Sequence, residues 1–277
     1  GWTATFAASE VPADAFLPVN VTAVSRDAAG NASAATSRGI TVATSVAAPA
    51  VGEVSGDNII NGAEKAAGVT VSGSGTPGSR VTVSWGGTDK LVTAGSDGSW
   101  SVLYATGEVP ADGNSDITAT ASDAAGNVSS VTTRTVVVDS VAPAAPLLGN
   151  TGAGALVSAV EATDALGVVS LTAEAGASWT LTLTGSSGTV TKTGTGTGSA
   201  QAIALSSTEV VQLGDGAISV SARATDAAGN VSPVATSGGN FTLDTGAPTT
   251  TVAIMSISPD SGRTGGDFVT NDGSFVV

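Results

Sequence analysis

The feature that most constrains this chain is a pentapeptide, Asp-Ala-Ala-Gly-Asn, that occurs three times at a spacing of about one hundred residues. It occupies residues 27–31, 123–127 and 226–230, and a Ser follows each copy two positions later. Self-similarity at a fixed period indicates repeated structural units. A period near one hundred residues matches the size of one β-sandwich domain, so we expect tandem domains.

Ala-Pro dipeptides divide the chain at the same point of each unit. They stand at residues 48–49, 142–143 and 247–248, each after a strand-like run. Pro ends a strand ladder and stiffens the crossing, which makes these dipeptides natural linkers. The expected organisation is the C-terminal half of a first repeat (1–48), a second repeat (49–143), a third repeat (144–247) and the start of a fourth (248–277).

The composition favours strands and turns. The chain is rich in Val, Thr, Ser and Ala, contains 37 Gly, and has only 4% aromatic residues. Trp100 and Tyr104 share one face of a strand and are predicted to anchor the core. Seven short strands bounded by turn signals predict an all-β immunoglobulin-like sandwich, repeated along an elongated array. In the second repeat these strands lie near residues 58–60, 69–72, 80–85, 90–93, 100–104, 117–122 and 131–138.

Several functions are excluded or disfavoured by what the chain is made of. It has no Cys and no His, and its scattered carboxylates form no catalytic constellation, so we expect no enzyme. The formal net charge of −14 would repel a nucleic acid backbone. No apolar run approaches the ~20 residues that insert into and span a membrane.

The topology of such a sandwich predicts where the repeated pentapeptide lies. It would connect the sixth and seventh strands at the N-terminal pole, which faces the preceding repeat. Asp139 would end the seventh strand at the opposite pole and face the next repeat. Consecutive repeats would therefore bring Asp139 towards Asp226 and Asn230, which makes the joint acidic.

Two interpretations of the pentapeptide remain open. Asp and Gly alone are explained by a tight turn, since Asp caps it and Gly adopts positive φ. Asn and a facing Asp also suit Ca²⁺, which takes six to eight oxygen ligands from carboxylates, amides and carbonyls. The carboxylate-rich segments at residues 258–262 and 267–272, just past Asp244, are the best candidate for a dense cation site.

These motifs together resemble the bacterial immunoglobulin-like repeats of giant biofilm-associated and repeats-in-toxin adhesins exported by type I secretion. The resemblance rests on the pentapeptide followed by Ser, the Asp-Ser/Thr-x-Ala-Pro closures and the terminal Asp-Phe-Val-Thr-Asn-Asp run. It implies an extracellular stalk on the bacterial surface, with Ca²⁺ at the junctions stiffening the rod. The implied ligands are Asp123 and Asn127 at the first joint, Asp139, Asp226 and Asn230 at the second, and Asp244, Asp260 and Asp267 at the third.

The first closure departs from this pattern, because Thr44 and Ser45 stand where the other closures have an Asp. Weak or absent calcium binding is therefore expected there. The expected partners are neighbouring repeats of the same chain, and the distal adhesive ligand is not specified. The alternatives are a subunit of an extracellular filament or sheath, and a glycan- or protein-binding module of a secreted protein.

Overall fold

The computed structural model describes residues 1–12, 15–152 and 154–250, and the architecture there is all-β. A 3₁₀ turn (Ala8–Glu10) precedes an antiparallel hairpin formed by β1 (Ala15–Ala23) and β2 (Thr36–Val42). Two sandwiches follow, which we name sandwich I (residues 50–139) and sandwich II (residues 147–243 apart from 153). The prediction of an all-β chain of successive immunoglobulin-like sandwiches is confirmed.

Sandwich I contains two facing sheets. Its strands are β3 (Ala50–Val51), β4 (Ile59–Asn61), β5 (Val69–Ser74), β6 (Arg80–Trp85), β7 (Thr88–Thr93), β8 (Ser99–Tyr104), β9 (Gly113–Ser122) and β10 (Thr132–Asp139). Five form a sheet in the order β4-β10-β9-β6-β7, and three form a sheet in the order β3-β5-β8. Each of the seven predicted strands overlaps an observed one; β3, with only two residues, is the strand that the sequence did not predict.

Sandwich II repeats this arrangement. Its strands are β11 (Leu147–Asn150), β12 (Leu156–Val157), β13 (Val169–Thr172), β14 (Ser178–Thr184), β15 (Thr189–Thr195), β16 (Gln201–Ile203), β17 (Gly216–Thr225) and β18 (Phe241–Leu243). The sheets have the orders β12-β18-β17-β14-β15 and β11-β13-β16. The parallel pair β12–β18 corresponds to the parallel pair β4–β10 of sandwich I.

Alternation of side chains along the long strands builds each core. In β9, Ile117, Ala119 and Ala121 are buried, and in β17 Ile218 and Val220 are buried. Thr and Ser occupy the positions between them, because successive side chains of a strand point to opposite faces. Each sandwich thereby encloses its own hydrophobic cluster.

Aromatic residues anchor the core of sandwich I, as predicted for Trp100 and Tyr104, which are both buried. The Tyr104 ring meets Trp85 edge to face at a centroid distance of 5.2 Å, and its hydroxyl donates a hydrogen bond to Val83 O at 2.9 Å. Such an aromatic pair adds about 0.5–1.5 kcal/mol beyond its area burial. The phenol is thus satisfied inside the core and belongs to packing.

A Gly stands directly opposite a buried Trp in both sandwiches. Trp100 in β8 pairs with Gly73 in β5, and Trp179 in β14 pairs with Gly194 in β15. A Cβ on either Gly would collide with the indole ring, so Gly lets the ring lie flat on the neighbouring strand. Trp2, which the repeat aligns with Trp100, is 75% exposed, because the described part of the hairpin unit contains no opposing sheet.

Short helical segments close the poles of the sandwiches: α1 (Gly62–Ala67), a 3₁₀ turn (Thr106–Glu108), α2 (Ala159–Thr163) and α3 (Ser207–Leu213). A reciprocal cap starts α1, in which Asn61 Oδ1 accepts the N–H of Glu64 and Glu64 Oε2 accepts the N–H of Asn61. Since Asn61 pairs with Asp139 across β4 and β10, Gly62 lies beside the end of β10. None of the described helices has the length and apolar character that crossing a bilayer requires.

Candidate functional site

The pentapeptide folds into a turn closed by its own Asp and Asn. In the third copy, Asp226 Oδ1 accepts the N–H of Ala228 at 2.9 Å and the N–H of Asn230 at 2.8 Å. Asp226 Oδ2 accepts a hydrogen bond from Asn230 Nδ2 at 2.9 Å. Gly229 has a φ of +90°, in the left-handed region that favours Gly. The turn therefore fixes the direction in which the Asn230 side chain projects.

The other two copies form the same bonds. Asp27 and Asp123 each accept two main-chain N–H groups and the side-chain amide of the following Asn, at distances between 2.7 and 2.9 Å. The amides of Asn31 and Asn127 lower the pKa of Asp27 and Asp123, because they donate to the charged carboxylate. The turn interpretation is confirmed for all three copies.

The Asn that ends the third turn reaches from sandwich II to sandwich I. Asn230 Nδ2 donates a hydrogen bond to Asp139 O at 2.8 Å, and Asn230 Oδ1 accepts the N–H of Gly62 at 2.7 Å. Asn230 is only 7% exposed. With the bond to Asp226, both amide hydrogens and the oxygen have partners, so the side chain is satisfied within the joint.

The first joint uses the equivalent contact. Asn127 Nδ2 donates to Ala43 O at 3.0 Å, just after β2 ends, as Asn230 donates to the carbonyl at the end of β10. Ala43, rather than Thr44 or Ser45, is thus the counterpart of Asp139. Among the described contacts, Asn31 makes its hydrogen bonds within its own turn, and Asn127 has one partner outside its own unit where Asn230 has two.

A second contact fixes the chain where it leaves each sandwich, and sequence reasoning did not find it. Asp112 accepts the N–H of Ser140 at 3.1 Å and its hydroxyl at 2.7 Å, and lies 3.3 Å from Lys65 Nζ. The hydrogen bonds from Ser140 lower the pKa of Asp112. Asp215 accepts the N–H and hydroxyl of Thr245 in the same way, at 3.0 and 2.8 Å.

A sequence signal for this contact does exist. Asp112 recurs at the matching repeat position as Asp14, and the residue after the closing Asp is Ser140 or Thr245, each of which carries a hydroxyl. The motif is therefore an acceptor paired with a donor about thirty residues further on.

The sequence-predicted calcium ligands in the turns are engaged in hydrogen bonds. Asn230 Oδ1 faces the Gly62 N–H, and the Asp226 carboxylate receives three bonds from its own turn. Asp123 and Asn127 are arranged in the same way within their turn. As arranged here, these four residues fit a hydrogen-bonded joint and do not present a calcium coordination shell, which needs six to eight oxygens directed at one point.

The carboxylates at the strand ends have fewer contacts. Asp139 Oδ1 accepts the N–H of Val141 at 3.3 Å, and Asp244 Oδ1 accepts the N–H of Gly246 at 3.1 Å. The other predicted ligands, Asp260 and Asp267, lie outside the described residues. Within the described ranges, no three acidic side chains gather into a group that could hold a metal ion.

Comparison with known proteins finds similarity to bacterial immunoglobulin-like domains. The sequence profile of a family described as "Bacterial Ig domain" matches residues 58–139, which lie within sandwich I. No protein of curated function matches the sequence. A solved immunoglobulin-like domain from the M. primoryensis ice-binding adhesin is 32% identical, and the match covers 99% of that domain and 35% of this chain, with a TM-score of 0.29.

Two longer solved structures also match. One comes from a 1.5-MDa bacterial ice-binding adhesin and is 26% identical, with 88% of this chain and 80% of that chain covered and a TM-score of 0.48. The other comes from the Ca²⁺-stabilized adhesin of an Antarctic bacterium and is 30% identical, with 84% and 58% covered and a TM-score of 0.47. This protein belongs to the bacterial immunoglobulin-like domain family.

Proposed function

We propose that this chain is a non-catalytic extender segment of a large bacterial surface adhesin, a stalk that holds a distal binding module away from the cell. The observation that carries the proposal is the joint in which Asn230 of sandwich II binds main-chain groups at the pole of sandwich I. Family membership and sequence identity to adhesin domains support the same role. Its immediate partners are neighbouring repeats of the same chain.

Pole-to-pole contact is what a stalk requires. A ten-residue strand such as β9 spans roughly 34 Å, so sandwiches joined at their poles gain roughly that length per repeat. A flexible linker would lose this length to random orientation, whereas a joint with fixed contacts adds it in one direction. The net charge of −14 keeps such a surface protein soluble and discourages side-by-side association.

Calcium is a separate part of the proposal. We assign it to the strand-end carboxylates Asp139 and Asp244, with Asp260 and Asp267 at the third joint, because Asp139 and Asp244 have few protein contacts. One similar adhesin is described as Ca²⁺-stabilized, which supports the assignment. In this proposal the cation neutralises repulsion between acidic poles, and the chain belongs to an exported adhesin of the biofilm-associated class.

The test is small-angle scattering and thermal unfolding of the chain, each with calcium and with chelator. An elongated particle in calcium is the expected scattering result, and a compact or randomly jointed profile would contradict the extender role. A higher melting temperature in calcium than in chelator is expected from the strand-end sites. Asp139→Ala should reduce that difference, and identical wild-type curves in both conditions would remove calcium from the proposal.

A further inference from the structure

We propose that the Asp-Ala-Ala-Gly-Asn turn is the docking element of each repeat, and that its Asn recognises only main-chain groups at the pole of the preceding repeat. The joint geometry would then be set without a metal ion and regardless of the side chain that closes the preceding repeat. This inference deepens the proposed extender function, because it names the surface through which neighbouring repeats bind each other.

The partner atoms are all main-chain atoms. Asn230 binds the carbonyl of Asp139 and the N–H of Gly62, and Asn127 binds the carbonyl of Ala43. The closing residue is acidic at one joint and Ala at the other, and the amide-to-carbonyl bond forms at both. A contact of this kind is insensitive to the closing side chain.

The turn organises the Asn side chain before docking. Three bonds to Asp226, one from Asn230 Nδ2 and two from main-chain N–H groups, hold the residue and its side chain in place. A group that is already ordered loses little conformational freedom on binding. Because Asn230 is buried in the joint, its hydrogen bonds to sandwich I are little weakened by competing water.

The receiving pole has a matching shape at Gly62. A Cβ at this position would lie 2.9 Å from Ser140 O and 3.2 Å from Asn230 Oδ1. The first contact is closer than real Cβ atoms approach, so the absence of a side chain lets the linker and the incoming turn lie against the start of α1. Gly62 is therefore part of the docking surface through its size as well as its N–H.

The docking role also accounts for why the turn ends in Asn. Asp at residue 230 would have no hydrogens to donate to Asp139 O, and Ala would reach neither partner. Asn supplies a donor and an acceptor from one planar group, and the joint presents one carbonyl and one N–H to it.

The absence of Cys makes a direct test practical, since two introduced Cys residues are the sole labelling sites. Thr135 and Thr195 are exposed and lie in the sandwich strands on either side of the joint. Spin labels at Thr135→Cys and Thr195→Cys allow the distance across the joint to be measured by pulsed electron paramagnetic resonance, with the whole chain kept in chelator. The expected result is one narrow distance distribution.

Variants of the doubly labelled chain show which side chains fix the geometry of the joint. Asn230→Ala and Asn230→Asp should each broaden the distribution, whereas Asp139→Ala should leave it as narrow as in the parent. Gly62→Ala, which leaves the third turn intact, should shift or broaden it. Because this variant lies in sandwich I, its effect does not depend on whether the Asn230 variants weaken sandwich II.

Three results would overturn the inference: a distribution that is broad in chelator and narrows only with calcium, one that Asp139→Ala broadens as much as Asn230→Ala, or one that Asn230→Ala leaves narrow. The first of these would leave a calcium-stiffened extender standing. A compact scattering profile, by contrast, would refute the extender role and leave the Asn contact untouched. The two failures are therefore distinguishable.

Discussion

The three Asn residues of the repeated turn form a natural series for measuring the stability of the joints. Among the described contacts, Asn31 has no hydrogen bond to another unit, Asn127 has one and Asn230 has two. A net contribution of about 0.5–1.5 kcal/mol for each hydrogen bond gives about 0.5–1.5 kcal/mol at the joint for Asn127→Ala. The same estimate gives about 1–3 kcal/mol for Asn230→Ala. Because Asn230 is buried, we expect the decrease in the free energy of unfolding for Asn230→Ala to lie in the upper part of that range. The substitution would remove the partner of Asp139 O and of the Gly62 N–H within the joint.

Urea unfolding of the whole chain measures these losses. Trp179 reports sandwich II, and Trp85 with Trp100 reports sandwich I, because these three indoles are buried. Asn230→Ala should lower the free energy of unfolding more than Asn127→Ala, and Asn31→Ala should leave both sandwiches unchanged. Equal losses from Asn127→Ala and Asn230→Ala would contradict a stability contribution that grows with the number of hydrogen bonds across the joint.

Two further predictions concern the packing and the exit of sandwich I. Gly73→Ala should destabilise it by about 1–3 kcal/mol in urea unfolding, because the new Cβ collides with the main-chain oxygen of Ala50 and with the Trp100 ring. Gly107→Ala, where a Cβ meets nothing, is the matched control and should change little. The hydrogen bonds from Ser140 lower the pKa of Asp112 in the folded protein. The stability that these bonds contribute is therefore present above the pKa of Asp112 in the unfolded chain, and it is lost as the pH falls through the lower folded pKa. In Asp112→Asn, the free energy of unfolding should therefore fall less steeply as the pH is lowered through the acidic range. An unchanged pH dependence would contradict this expectation.

The sequence predicted the fold well because strand alternation and turn residues are local signals. Seven strands of sandwich I were located from the spacing of Val, Ile and Trp between Gly-, Asp- and Ser-rich turns. The two-residue β3 was missed because so short a pairing has no period to detect. The helix α1 was also missed, although Asn61 and Glu64 form the capping pattern that marks a helix start.

The site was predictable in position but not in chemistry. Strand topology alone indicated that Asp139 would lie near Asn230, and the structure brings them together. The atom that Asn230 contacts is a carbonyl, and main-chain partners leave no signature in residue identity. The role of Gly62 could not be predicted from the sequence either, because it depends on a main-chain N–H and on the absence of a side chain. The acidic side chain of Asp139 therefore suggested a cation, whereas the observed contact uses its main-chain carbonyl, a group that every residue has.

Hydrogen exchange at the Gly62 amide reports the joint contact itself, because the N–H belongs to one sandwich and its acceptor, Asn230 Oδ1, to the other. The measurement is amide exchange by nuclear magnetic resonance on the whole chain in chelator, with Asn230→Ala as the comparison. We predict a protected Gly62 amide in the parent and much faster exchange in the variant, with protection in the core strands β6 and β9 retained. Rapid exchange at Gly62 in the parent, or protection that survives Asn230→Ala, would contradict a joint held by this side chain.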